Sequence, residues 1–213
     1  MFRSLLRSML VLVLLSLSAT GSRAGGPAAS TSTAPGLIRL VGASGGVPDA
    51  VSGQFTVVVR DLANNPINGS PVVIDLSNCT DLAICSDQLD ANALVNCAAK
   101  TVRKFTNALG SVTFTVIGSS TGAGNAASLS NEGRVFASGR LIGSPSVASF
   151  DLDGSGGVGA GDLSVWLSDF GSGQPYERSD FDGSGSIGAA DLSEWLAVFG
   201  AGGSTQSCGA SCP

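Results

Sequence analysis

The sequence predicts an all-β sandwich of short strands followed by a small α domain made of two loop–helix units. Three observations lead there. Between residues 36 and 149, short runs alternate apolar and polar residues and are separated by turn formers. After Phe150 the texture changes to an internal repeat with an offset of 29 residues. The 213-residue chain also carries 30 Gly and only 13% charged residues, a composition that suits a β-rich, loop-rich protein.

The chain opens with Arg3 and Arg7, then an almost unbroken apolar run from Met9 to Leu17, then Ser22-Arg23-Ala24. A basic start, a short apolar stretch and small residues at the cleavage positions predict an export signal over residues 1–24, cut after Ala24. The apolar run is too short to span a bilayer comfortably. The mature chain is therefore expected to be secreted, extracellular or at the cell surface, with no membrane span. Residues 25–35 are Gly, Ala, Ser, Thr and Pro, which reads as a linker.

The β pattern follows. Gln54 to Arg60 places Phe55, Val57 and Val59 on one face. Asn64-Asn65-Pro66-Ile67-Asn68-Gly69 is a turn, and Pro71 to Leu76 a second strand. Lys100 to Phe105 is a third strand. Asn107-Ala108-Leu109-Gly110 turns into Ser111 to Ile117, where Val112, Phe114 and Val116 alternate with Thr113 and Thr115. Arg134 to Ile142 is another strand. Helical periodicity is absent from this stretch, and the expected architecture is a β-sandwich.

The five cysteines are Cys79, Cys85, Cys97, Cys208 and Cys212. An oxidising compartment favours disulfides among them, and the odd count leaves one over. There is no His, and the Cys spacing fits no zinc pattern.

The repeat carries the chemistry. Asp151-Leu152-Asp153-Gly154-Ser155-Gly156-Gly157-Val158-Gly159-Ala160-Gly161-Asp162 recurs as Asp180-Phe181-Asp182-Gly183-Ser184-Gly185-Ser186-Ile187-Gly188-Ala189-Ala190-Asp191. The spacing is that of a twelve-residue calcium loop. Positions one, three and twelve are the carboxylates Asp151, Asp153 and Asp162, and then Asp180, Asp182 and Asp191. Position five offers the hydroxyl of Ser155 or Ser184. Position six, Gly156 or Gly185, allows a sharp turn. Position seven, Gly157 or Ser186, gives a backbone carbonyl. Position eight, Val158 or Ile187, can join the two loops through a short β contact. Calcium takes six to eight oxygens, and three carboxylates held together without an ion repel one another. About two Ca²⁺ per chain are expected, bound as part of folding.

The charge agrees. Residues 25–149 hold seven acidic and seven basic residues, whereas residues 150–200 hold nine acidic residues against the single base Arg178. A net −8 in so short a segment calls for a cationic counterpart. Each loop runs into a helix: Asp162 to Phe170 with Leu163, Trp166, Leu167 and Phe170 on one stripe, ended by Gly171, then Asp191 to Phe199 with Leu192, Trp195, Leu196 and Phe199, ended by Gly200. The two stripes are expected to pack against each other about a pseudo-two-fold, with the Trp residues in the core.

Two resemblances follow from these residues. The run Arg60-Asp61-Leu62-Ala63-Asn64-Asn65-Pro66-Ile67-Asn68-Gly69-Ser70-Pro71-Val72-Val73-Ile74 and the later Thr106-Asn107-Ala108-Leu109-Gly110-Ser111-Val112-Thr113-Phe114 resemble the bacterial Ig-like domains of invasin and intimin type. The likeness implies an Ig-like sandwich over residues 36–149. The tandem loop–helix units over residues 150–200 resemble a type I dockerin, which implies an EF-hand-like pair of calcium units that docks onto a cohesin-like domain. That family is tied to polysaccharide-degrading assemblies. It often carries Asn at position nine and polar residues at ten and eleven, where this chain has Gly159, Ala160 and Gly161, then Gly188, Ala189 and Ala190. Residues 201–213 read as a flexible, Cys-containing tail.

Catalysis and nucleic-acid binding find no support. Gly42-Ala43-Ser44-Gly45-Gly46 matches a nucleophile pattern, but without His no Ser–His–acid triad can be built. The only Glu residues are Glu132, Glu177 and Glu194, so no placed carboxylate pair suits glycoside hydrolysis. The chain is acidic and has no run of Lys or Arg. The expectation is an exported, non-catalytic calcium-binding protein that attaches to a protein partner through its C-terminal units. Two alternatives stand beside it: an accessory component of an extracellular polysaccharide-degrading complex, with polysaccharide as a ligand, or a structural or adhesive surface protein that calcium only stabilises.

Overall fold

The structure, a computed structural model, describes residues 25–121, 129–202 and 212. The expected export signal and Cys208 lie outside them. The strands are short, in chain order β1 Leu37–Leu40, β2 Ala43–Ser44, β3 Val47–Pro48, β4 Gln54–Val58, β5 Pro71–Asp75, β6 Leu82–Ile84, β7 Leu94–Asn96, β8 Thr101–Phe105, β9 Ser111–Thr115, β10 Gly118–Ser120, β11 Arg134–Ala137, β12 Arg140–Gly143 and β13 Ser146–Ser149. One sheet has five strands in the order β12-β11-β5-β8-β7. The others are pairs: antiparallel β4–β9, β6–β10 and β2–β3, and parallel β1–β13. An Ig-like sandwich is compatible with these sheets.

Alternation explains the pairing. Val57 and its cross-strand partner Val112 are buried, as are Val59, Phe114 and Val116, and Phe55 pairs with Phe114 and stacks on it at 5.6 Å between ring centroids. These side chains meet Val72, Ile74, Val102 and Val135 from the five-stranded sheet in one apolar core. The turn before β9 is tied by the Asn107 side-chain amide oxygen, which accepts from Leu109 and Ser111 N–H. Gly110 is required there: its φ is +72°, and a Cβ would strike the Val59 carbonyl. The expected strand from Arg134 to Ile142 is instead a hairpin, because Ser138 and Gly139 both adopt positive φ, as the tightest hairpin turns demand. The nucleophile-like Gly42 to Gly46 is the β2–β3 hairpin.

Residues 25–35 are no free linker. Ala28 is buried, Thr33 bridges to Val58, and the Thr31 hydroxyl donates to the Asp61 carbonyl. The insert between Cys79 and Ala99 supplies β6 and β7. Cys97 is disulfide-bonded to Cys212, 115 positions away, so the far end of the expected flexible tail is pinned to the β region. Cys85 is also disulfide-bonded, and Cys79 is a buried free thiol.

The second half of the expected architecture is corrected. A separate α domain of two EF-hand-like units is not formed. Among the described residues there are three α-helices, α1 Ala50–Gly53, α2 Ala160–Ser172 and α3 Ala189–Gly200, in a chain made mostly of small β-sheets. Each acidic loop is followed by one helix and entered without one: β13 leads into the first, and a 3₁₀ turn at Glu177–Ser179 leads into the second. A loop with a helix on one side only cannot close an α core by itself. Its apolar residues are covered by the β region, and Phe150, Leu152, Val158, Trp166, Phe181, Trp195 and Val198 share one cluster with Val41 and Ala148. The helical stripes do not bury one another: Leu167, Phe170, Leu196 and Phe199 each stay about half exposed. Helix α2 ends at Gly173, with φ +67°, and not at Gly171.

Candidate metal centres

The loops fold as they do because glycine stands at positions four and six of each. Gly154, Gly156, Gly183 and Gly185 all have φ between +70° and +90°. That region is open to glycine at little steric cost, and it reverses the chain so that its carboxylates converge. Position six is legible from loop spacing. Position four is not, although Gly154 and Gly183 follow the second Asp in both copies.

Two clusters result. Asp151, Asp153 and Asp162 place one carboxylate oxygen each within 4.8 Å of one another, and so do Asp180, Asp182 and Asp191. All six carboxylates named from the sequence are thus brought together, three by three. Asp162 stands in the first turn of α2. Its Oδ1 accepts from Leu152 and Asp153 N–H at 2.6 and 2.9 Å, and its Oδ2 from Gly159 N–H at 2.6 Å. Asp191 repeats this, accepting from Asp182 N–H at 3.0 Å and Gly188 N–H at 2.7 Å. A carboxylate at a helix N-terminus also meets the positive end of the helix dipole. Backbone N–H groups hold Asp151 and Asp180 as well, from Gly156 at 2.9 Å and Gly185 at 2.7 Å.

Of the other expected ligands, Ser184 and Ser186 are brought together: the Ser184 hydroxyl donates to the Ser186 carbonyl at 3.1 Å. Ser155 is exposed and Gly157 half-buried in the first loop, and Ser155 N–H donates to Asp153 Oδ1. The β contact between Val158 and Ile187 is not formed among the described residues. Both side chains instead join the apolar cluster beneath the loops.

The electrostatics are unfavourable without a cation. Two unit charges at such a distance repel by about 3 kcal/mol at the effective dielectric of a protein surface. Burial, then the neighbouring Asp162 carboxylate, push Asp151 up to about 7. Burial also raises Asp162 and Asp180. Asp153 is partly buried, yet hydrogen bonding from Ser155 holds it below the usual carboxylate range, and Ser184 does the same for Asp182. Asp151 Oδ1 is buried and has no hydrogen-bond partner. A carboxylate oxygen removed from water without a donor is costly. Either cluster could hold a metal ion, with hard oxygen donors throughout.

The residue that sequence reading missed is Asp169. It is buried and takes two hydrogen bonds from Arg178, at 2.8 and 2.7 Å, and one from the Ser179 hydroxyl at 2.7 Å. The signal was present: Arg178 is the only base in residues 150–200, and Asp169 lies outside both loops. Trp166 and Trp195 are buried core residues, each stacked on the Phe four positions on. No helix among the described residues is long and apolar enough to cross a membrane.

Comparison with protein-family models, with curated proteins and with solved structures gave no match.

Proposed function

We propose that the two clusters bind calcium, about one ion each, and that this protein is an exported, non-catalytic module which attaches to a protein partner through its C-terminal units. The observation that carries the metal reading is the buried, unpartnered Oδ1 of Asp151, set among carboxylates to which no basic side chain among the described residues donates. Calcium suits the donors best. Carboxylates, a serine hydroxyl and backbone carbonyls in a glycine-hinged loop tolerate irregular coordination, whereas magnesium demands a rigid octahedron. The ligands would be Asp151, Asp153, Ser155, Gly157 and Asp162 in the first loop, and Asp180, Asp182, Ser184, Ser186 and Asp191 in the second.

The attachment reading rests on the resemblance of the repeat to dockerins, with the half-exposed Leu167, Phe170, Leu196 and Phe199 as the apolar contact residues. Exposed apolar groups clustered on helices are a feature of interaction surfaces. Export rests on the basic-apolar-small pattern of residues 1–24.

Calorimetry of the chain from residue 25 onward tests the metal reading. About two Ca²⁺ per chain are expected, and Asp162→Ala with Asp191→Ala should abolish binding at both loops. Titration heats that stay unchanged in the double variant would refute the assignment. Capture on a cohesin-like domain, lost on adding chelator, tests attachment; no capture with calcium bound favours the stabilising role instead.

A further inference from the structure

We propose that calcium at these loops is also the clasp of the β region: binding holds the parallel β1–β13 pair in place, and removal releases it. The inference rests on the calcium reading above and concerns what the ion regulates.

The acidic loops are tied into the β region at several separate points. The first ligand residue, Asp151, is two residues past the end of β13. Its carbonyl accepts from Ser120 N–H at 2.7 Å, at the end of β10, and from the buried Ser149 hydroxyl at 3.1 Å. Phe150 N–H reaches the Leu40 carbonyl at the end of β1. The second loop is held by Arg39 of β1, whose Nε donates to the Phe181 carbonyl at 2.6 Å and whose Nη1 lies 3.4 Å from Glu194 Oε2 on α3. Phe181 sits between Asp180 and Asp182, so Arg39 fixes the backbone of the site without a hydrogen bond to either carboxylate, and its charge is felt by Asp182. Behind the loop, Glu177 accepts from Asn131 N–H at 2.5 Å and donates its own N–H to the Leu129 carbonyl at 3.2 Å. Phe150 and Phe181 stack face to face at 4.7 Å, so the entries to the two loops pack directly on each other. The Cys97–Cys212 bond and the Cys212 N–H to Ile84 carbonyl hydrogen bond return the chain to the β region beyond α3.

A pendant module could lose its ion without consequence for the domain before it. Here β13 runs directly into the first metal loop, and Arg39 of β1 holds the second. A parallel pair of only four residues is weak alone. An ion that orders Asp151 and Phe181 therefore also orders β13, which leads to Asp151, and β1, whose Arg39 is bonded to Phe181, and thermodynamic linkage makes the coupling reciprocal.

Hydrogen exchange on the disulfide-intact chain from residue 25 onward, with saturating Ca²⁺ and with chelator, reads this directly. Removing calcium should speed exchange at the amides of β1, β13, Phe150 and Gly118 by about fivefold or more, the scale of ordinary coupling energies. The β5–β8 ladder should respond less. Arg39→Met leaves every ligand in place; compared with the unaltered chain at high salt, which screens the Arg39 charge felt by Asp182, it should weaken calcium by about fivefold while two ions still bind. Two ions bound with no change at the joint amides, or an unaltered affinity in Arg39→Met, would overturn the clasp and leave the calcium reading intact. No calcium bound at all would remove that reading and the clasp with it.

Discussion

The two repeats differ less in their clustered carboxylates than in what stands behind them. Both loops place three Asp at the same positions, both put positive-φ glycine at positions four and six, and both send the last Asp into the first turn of a helix. Outside the ligands they diverge. The third buried position of α2 is Asp169, and its counterpart in α3 is Val198. Val198 joins the apolar cluster, whereas Asp169 is matched by the buried Arg178 and Ser179 that open the second loop. The first loop needs no such pair, because β13 delivers it directly. Repetition fixes the cage, and the surroundings decide how each cage is mounted.

The largest expected effect tests that mounting. Asp169→Ala strands a buried guanidinium and should destabilise the chain by about 3–5 kcal/mol in urea unfolding. A loss below about 1 kcal/mol would mean that the pair does not hold the second loop. Asp169→Val, imitating the other repeat, leaves the same charge unmatched and should be no milder.

Acidity separates the loops next. Without metal, burial and the neighbouring Asp162 push folded Asp151 up to about 7, well above its unfolded value. Folding then takes up a proton at Asp151, so this group's contribution to the stability of the metal-free protein is present at low pH and is lost as pH rises from about 4 through 7, opposite in sign to the contributions of Asp153 and Asp182. On the calcium reading, the ion must displace that proton. Its affinity for the first loop should therefore rise by up to about tenfold per pH unit below 7. Asp180 shifts in the same direction, but Asp182 is exposed, so the second loop should follow less steeply. Calorimetry at several pH values, with Asp180→Ala isolating the first loop, checks the sign; an affinity that falls with pH would contradict it.

The smallest effect concerns the helix ends. Helix α2 stops at Gly173 in the left-handed region, while α3 stops at Ala201 with φ −78°. Gly173→Ala should cost about 1 kcal/mol, and Ala201→Gly should do little beyond a few tenths. Equal losses in thermal melts would show that the two helices end alike after all.

Much of the site could be read before the fold. Asp151, Asp153, Asp162 and their counterparts lie within twelve residues of one another, so local turns alone bring them together. The alternation of Phe55, Val57 and Val59 against Val112, Phe114 and Val116 likewise identified two strands that do pair. Strands β6, β7 and β13 were not legible, being three or four residues long in segments without clear alternation. The helical stripes were misjudged for a related reason. Leu163, Trp166, Leu167 and Phe170 form an apolar face whatever they meet, and period alone does not say that Asp169 turns inward while Leu167 stays out.

The sequence by itself determined the two acidic loops, their glycine hinges and the helices that follow, because each depends on neighbours within a dozen residues. Only the tertiary structure decided that these units are no domain of their own. Their apolar faces are too small to close a core without Val41 and Ala148, and the ties through Arg39, Ser120 and Cys97 span more than thirty positions each. Contacts at that separation leave no local period in a chain.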